Sequence, residues 1–302
     1  MQRIQKLTFP FLLLLLLWSQ NQLMAQDDLD NLLDKSTNAK SKTQYVEAAF
    51  KDIRVVNLHS TETVAARDLV FRISHRFGTL NSGGVNLWGL DNAVIRLSLE
   101  YGLHDRLMIG VGRTSNTKDY DFFAKAKILR QSKGARNMPV SLLYVASGVI
   151  NGQEDPTTFQ RTTAQRMSFV HQIILGRKFN DRLSLEVVPT YVHRNLVETR
   201  NDQNDMLALG IAGRFKLNSR LAINAEYIMR NPPSDELQRA RFDTFQDSFS
   251  LGLDIETGGH VFSLHLTNSL SMIEKGFVAE TNESWEKGGI HFGFNISRVF
   301  SL

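Results

Sequence analysis

The chain has 302 residues, 42% of them hydrophobic, with 19 phenylalanines, 20 glycines, six prolines and no cysteine. A mean hydropathy of −0.21 is too low for a bundle of membrane-spanning helices, and the phenylalanine and glycine content is that of an ordered chain. The lack of cysteine excludes a disulfide scaffold, thiolate zinc, iron–sulfur clusters and covalent haem, and a formal charge of +4, falling to +2 once Arg3 and Lys6 leave with a leader, gives no support to nucleic-acid binding.

The chain opens with a basic pair, Arg3 and Lys6, followed by an apolar run from Phe9 to Trp18. That run has the length of a secretory h-region and is too short to span a bilayer core of about 30 Å. Ala25 offers a small residue for cleavage, so residues 1–25 are expected to be a signal peptide that is removed on export. No later stretch reaches 18 apolar residues, so any further membrane insertion must use strands. Residues 26–66 do not fit a strand pattern. Asp27 to Asp34 carries apolar residues at helical spacing, and Tyr45 to Leu58 mixes apolar and charged residues. Two expectations stand for this segment: a periplasmic extension, or a plug that tucks Phe50 to His59 into a lumen.

From Arg67 onward, runs of about ten residues alternate apolar and polar positions, which is strand periodicity. Ile95, Leu97 and Leu99 oppose Arg96, Ser98 and Glu100; Leu207, Leu209 and Ile211 oppose polar or small neighbours; Phe292, Phe294 and Ile296 oppose His291, Asn295 and Ser297. Tight connectors at His104 to Arg106, Ser132 to Asn137, Asn180 to Arg182, Asn218 to Arg220 and Thr257 to Gly259 alternate with mostly long ones. A soluble sandwich shares the periodicity. Strict alternation of short and long connectors, and aromatics near strand ends such as Phe77, Tyr191 and Tyr227, belong to a membrane barrel. The expected fold is all-β, a closed antiparallel up-and-down transmembrane β-barrel of about twelve strands over 67–302, in the outer membrane.

The motifs Ile73 to Gly78, Leu99 to Gly102 followed by Asp105-Arg106-Leu107, Ile109 to Arg113 and Leu129 to Gln131 carry a resemblance. So do Pro189 to Asn195, Asp254 to His260, Leu264 to Ser269 and the closing Asn295 to Phe300. With these the chain, from about Phe50 to its end, resembles the Bacteroidota-type outer-membrane β-barrel proteins of the domain of unknown function 5777 family. The resemblance implies the barrel and its location and brings no functional residues with it.

Parity places Arg96, Glu100, Lys125, Lys127, Glu186, Arg194, Arg214, Lys216, Glu226, Arg230, Asp254, Glu256 and His265 on the inward faces. Either they brace a narrow barrel, with Glu100 set against Lys125 and Lys127 and Glu226 against Arg214 and Lys216, or they form a selectivity lining. Inward Ser98 and Asn224 are expected to accept Arg, and outward Leu209 and Phe292 to reject it. His193 and His171 face outward, and Ser168 is the nearby nucleophile a barrel-wall hydrolase would need, although its parity is opposite. His260 and His265 fall on opposite faces of one strand and cannot share a metal. The expected function is a channel or transporter for small polar solutes, with a non-conducting scaffold as alternative and a membrane-embedded hydrolase as a remote one. The expected partners are outer-membrane lipid and, during biogenesis, the barrel-assembly machinery that reads a closing strand such as Ile296 to Leu302; no cofactor and no nucleic acid are expected.

Overall fold

The computed structural model describes residues 42–257 and 260–302, with His260 in its backbone only. The expected signal peptide, the stretch up to residue 41, the Gly258-Gly259 turn and the His260 side chain lie outside the described residues. Residues 45–132 and 138–302 form one compact unit, and residues 133–137 belong to a second, small one.

Twelve strands run in chain order: β1 (Asp68–Thr79), β2 (Ala93–His104), β3 (Leu107–Thr114), β4 (Tyr120–Leu129), β5 (Ser141–Ile150) and β6 (Met167–Lys178), then β7 (Leu183–Arg194), β8 (Asp205–Lys216), β9 (Leu221–Arg230), β10 (Ser248–Thr257), β11 (His260–Thr267) and β12 (His291–Ser301). Each pairs antiparallel with its sequence neighbours, and β12 pairs with β1 through Phe300 opposite Leu69 and Ser301 opposite Asp68, which closes the barrel. Closure matters because lipid offers no hydrogen-bond partner to an open sheet edge. No helix among the described residues is long and apolar enough to cross a membrane.

Local chemistry explains the turns. Asn180 Oδ1 accepts from the backbone N–H of Arg182 and Leu183, and Asn218 Oδ1 repeats the device on Arg220 and Leu221. An Asn side chain that mimics a backbone acceptor holds a short turn without help from elsewhere. The connector from β4 to β5 takes residues 130–140, and within it Ser132 and Met138 exchange both backbone hydrogen bonds around the turn expected there. The long connectors carry two short helices, α1 (Glu236–Phe242) and α2 (Glu274–Ala279), the first capped by Asp235, which accepts from the Gln238 N–H.

Alternation along the strands sorts the two faces. On β2, Leu97 and Leu99 are each 47% exposed while Ser98 and Glu100, which alternate with them, are buried. The exposed apolar set continues around the wall through Ile109, Val111, Phe122, Ile173, Leu175, Ile211 and Ile223, a band that water would not tolerate and lipid accepts.

The inner face holds more than side chains. Residues 49–66 pass through the barrel as a small hairpin: Arg54 bridges antiparallel to His59, the Val55 N–H donates to the Leu58 carbonyl, and the Ser60 N–H donates to the Ile53 carbonyl. Phe50, Ile53, Val55 and Leu58 are buried in one apolar cluster with Leu143 and Val145 of β5, Val170 and Ile174 of β6, Val188 and Val192 of β7, Met206 of β8 and Ile228 of β9. Phe277, Val278 and Ala279 of α2 join that cluster. The interior is thus divided, with the wall from β5 to β9 mostly apolar and the wall through β10 to β12 and β1 to β4 bearing most of the buried charges.

Wall glycines make the room. A Cβ at Gly210 would lie 2.8 Å from Leu58 Cδ1, one at Gly252 would lie 3.0 Å from Val56 Cγ2, and those at Gly176 and Gly102 would run into Thr61 and the Ala65 backbone.

Ser98 and Asn224, expected to accept Arg, are 2% and 1% exposed. The expectation assumed a hydrated lumen, and the inner segment fills it. Leu209→Arg is expected to cost about 2–4 kcal/mol through lipid exposure. Asn224→Arg is expected to cost a further, different 1–3 kcal/mol or so by overpacking. Equilibrium unfolding in lipid vesicles measures both, and an unchanged Asn224→Arg would mean that the space beside the inner segment is open. Gly102→Val should expel residues 64–66 from the wall, read as new protease sensitivity at Arg67 in a barrel that still closes.

Candidate functional site

Inward-facing strand residues meet the inner segment in ion pairs and charge-assisted hydrogen bonds. Arg72, on β1, donates Nη1 to Asp52 Oδ2 at 2.5 Å and Nη2 to Asp52 Oδ1 at 2.6 Å, and reaches Glu100 with Nη2 at 3.1 Å. Glu100 also accepts from Ser98 Oγ at 3.2 Å. Arg96 holds Asp121 of β4 in a two-point pair, Nε to Oδ1 at 3.0 Å and Nη2 to Oδ2 at 2.5 Å. Lys125 Nζ donates to the Ile53 carbonyl at 3.1 Å. Glu226 receives the tip of the hairpin, accepting from the N–H groups of Val56, Asn57 and Leu58 at 2.9–3.2 Å. Glu256 pairs with Lys51 at 2.5 Å. Arg76 caps the carbonyls of Ser269 and Ser271 and the Asn57 side chain, and its Nε lies 3.5 Å from His265 Nε2.

The remaining inward residues are distributed differently. Asp254 is buried, with Ser263 opposite it in register. Glu186 is buried with neither carboxylate oxygen hydrogen-bonded to protein. Lys127, Arg214 and Lys216 are half-buried toward the short-turn end. Arg194 and Arg230 stand at the long-loop end: Arg230 donates to Asp247 and to the carbonyls of Phe242 and Phe245 and stacks on the Phe242 ring, while Arg194 donates to the Gln203 carbonyl at 2.6 Å.

Two expected pairings do not form. Glu100 is held by Arg72 and not by Lys125 or Lys127, and Glu226 is taken up by backbone amides and not by Arg214 or Lys216. Cross-strand parity identifies who shares a face but not which neighbour takes a carboxylate: Arg72 of β1 takes Glu100, and the inner segment takes Glu226. Arg72, Arg76 and Asp121 are central here and escaped the sequence analysis, although their parity with Val70 and Phe123 marks them as inward. Asp52, Arg54, Asn57 and His59 carried no periodic signal.

On the outside, His193 Nδ1 lies 2.7 Å from Asp205 Oδ1, which Tyr191 Oη also contacts, and His171 Nδ1 meets Tyr144 Oη at 2.6 Å. Ser168 is buried on the inner face, so the strand wall separates it from His193 and His171 and no nucleophile–base contact is possible.

At the long-loop end, α2 dips into the mouth and separates two environments. Below it, Glu274 Oε1 accepts from Arg54 Nη2 at 2.7 Å and lies 2.9 Å from His59 Nε2, off the line of a hydrogen bond. Above it is a vestibule of about 610 Å³ lined by Asp119, Asn151, Ser168, Arg194, Lys275, Glu280 and the surrounding loops. Those loops are tied by Asp155, which accepts from Arg161 and Arg166, and by Arg241, which donates to Asp202 and Glu198. Among the described residues no three His, Asp or Glu side chains converge as a metal site would need.

The Arg54–Glu274–His59 cluster belongs to the inner segment and a loop, outside the spanning strands. Burial, then the Arg54 charge, hold His59 well below its ordinary 6.5 against the pull of Glu274, so the ring is neutral. Burial alone would raise Glu274, but Arg54, the His59 contact and Arg96 outweigh it and hold the carboxyl well below 4.5. Both folded values lie below the unfolded ones. The stability each group contributes is therefore complete above its unfolded value and is lost as pH falls toward its folded one. Acidification from pH 7 is expected to loosen the inner segment, beginning below 6.5 through His59 and continuing below 4.5 through Glu274. A spin label on Thr63→Cys should report the mobility, and His59→Asn should remove the first stage only. Arg54→Met, which strands Glu274 without its cation, is expected to cost about 3–5 kcal/mol.

Residues 50–300 match the model of a family described as a membrane bound beta barrel domain, DUF5777. No curated protein matches the chain. Among solved structures, the KdgM porin is similar at 8% identity and a TM-score of 0.45, over 78% of this chain and 99% of its own. Omp33 of Acinetobacter baumannii is similar at 8% identity and 0.41, over 79% and 100%. The outer membrane phospholipase of Salmonella typhi, a dimer with bound calcium, is similar at 14% identity and 0.43, over 84% and 98%. Likeness at that level adds nothing to the closed sheet already described. The family match is of another kind, since it runs from the inner segment to the strand that closes the barrel: this chain belongs to the domain of unknown function 5777 family of membrane-bound β-barrel proteins.

Proposed function

We propose that this protein is an outer-membrane barrel that passes small polar solutes and is shut at rest by its own residues 49–66. The observation that carries this reading is the charged half of the wall. Arg72 and Lys125 there spend their charge on the inner segment, as does Glu226 on the adjoining strand β9. Buried charges of this kind are weak contributors to stability compared with apolar packing, so a barrel designed only to be solid would gain little from them. A wall that faces water whenever the segment shifts needs them. Export through the expected signal peptide, insertion by barrel-assembly machinery and a lipid-facing apolar band are the setting in which such a route operates.

A second reading rests on the other half of the wall. From β5 to β9 the inner segment is packed into an apolar core and fitted against Gly176 and Gly210, as in a permanently closed barrel that serves as a platform for a partner at its mouth.

The chain has no cysteine, so a tether can be introduced cleanly. In planar bilayers, Val56→Cys with Gly252→Cys is expected to show intermittent conductance when reduced and none when oxidised. A variant lacking residues 49–61, confirmed as a closed barrel by its heat-modifiable migration, should conduct steadily. Silence from that variant favours the platform, and steady conductance from the wild type would contradict closure at rest.

A further inference from the structure

The charges around the vestibule are not equally occupied. Arg161 and Arg166 share Asp155, whose side chain is fully enclosed by them, and Arg241 is held at 2.8 Å by Asp202 and at 3.0 Å by Glu198. These pairs fasten the loops and take up the charge of Arg161, Arg166 and Arg241. The floor is different. Lys275 Nζ lies 4.0 Å from Asp119 Oδ2 and 3.5 Å from Glu280 Oε1, and Arg194 Nη1 lies 3.5 Å from that same Glu280 oxygen. One carboxylate oxygen thus serves two cations at distances well beyond the roughly 2.7–2.9 Å of a charge-assisted hydrogen bond.

Both cations are deep. The side chains of Lys275 and Arg194 are 13% and 8% exposed, and Arg194 Nε is buried with no protein acceptor. Asp119 compensates Lys275 poorly: burial pushes its carboxyl up, against the opposing pull of Lys275 itself. A donor left unsatisfied in a buried site costs on the order of 1–3 kcal/mol, so this arrangement is complete only with an acceptor in the cavity. The volume of about 610 Å³ falls within the roughly 300–1,000 Å³ of small-molecule sites, and apart from Phe245 and a few aliphatic side chains the lining is amide, hydroxyl and charge.

We infer that the vestibule above α2 is a binding site for a small polar anion, a carboxylate or phosphate on a hydrogen-bonding body, held by Lys275 and Arg194. The inference deepens the solute-route reading and rests on it only for what the bound molecule does next; binding itself does not require a conducting barrel.

The test is equilibrium binding to the full-length barrel in detergent, by calorimetry, with glucuronate, glucose 6-phosphate, glucose and glucosamine as probes. One or both anions are expected to bind, which separates a carboxylate from a phosphate site, while glucose and glucosamine bind at least tenfold more weakly. Lys275→Gln and Arg194→Gln should each weaken the anion at least tenfold. Arg161→Gln, whose charge is already taken by Asp155, should change it less than threefold. Anion binding equal to that of glucose, no binding of either anion, or binding untouched by Lys275→Gln would overturn the assignment. Should Arg194→Gln fail to fold, Lys275→Gln alone decides, since among the described residues that side chain has just the two long ion contacts above. Binding without conductance counts against the channel and not against this site; conductance without binding does the reverse.

Discussion

A closed sheet in lipid has one place to put its polar side chains, and that place has a fixed size. Eight strands enclose a space that side chains alone can fill, and sixteen or more leave an aqueous channel. Twelve strands fall between the two, so the interior must be either hydrated or occupied by additional chain. Here it is occupied. Residues 49–66 and α2 bring Phe50, Ile53, Leu58 and Phe277 into the gap, and the wall answers with glycines where the backbone needs to come close and with charges where the segment shows polar groups. The outer band, the closing pair β12–β1 and the placement of the mouth all follow from a barrel of this girth.

The two halves of the interior use different physics for the same task. Between β5 and β9 the fit is apolar and depends on shape, so it tolerates no empty volume. On the opposite side Arg72, Arg96, Asp121 and Lys125 hold their partners by directed contacts, and Glu226 does the same from β9, where the two halves meet; such contacts fix register and orientation more than they add stability. Together they specify one position for the hairpin: the apolar side decides how deep it sits, and Glu226 decides where its tip points.

Most of the barrel was legible in the sequence because lipid on one side and interior on the other impose a strict two-residue period. Ile95, Leu97 and Leu99 against Arg96, Ser98 and Glu100 state both faces of β2 without ambiguity. Asn180 and Asn218 announce their turns, since the acceptor they supply acts two and three residues on. The site was less legible. Parity gives the side of the wall for Glu100 and Glu226 but not the partner: Glu100 is taken by Arg72 of the neighbouring strand β1, and Glu226 by the amides of a third body between opposite strands. Arg72 and Arg76 follow the same parity and were within reach of it. Asp52, Arg54 and His59 were not, because an irregular hairpin has no period and its meaning comes only from what surrounds it. Lys275 and Arg194 lie far apart in sequence and are brought together by a loop that dips into the mouth.

The position of the inner segment in the chain has a consequence for how the molecule is made. Residues 49–66 precede β1, yet they meet residues of β1, β4, β8, β9 and β10. Synthesis delivers the segment first and the strands that embrace it afterwards. The sheet therefore has to curl around a strand of chain that is already present, or the hairpin has to be fed in through the short-turn opening once β12 has met β1. In the first order of events the segment acts as a template, with Glu226 and Arg72 gathering distant strands before closure; in the second, the finished barrel sets a threading step at the end of its own assembly.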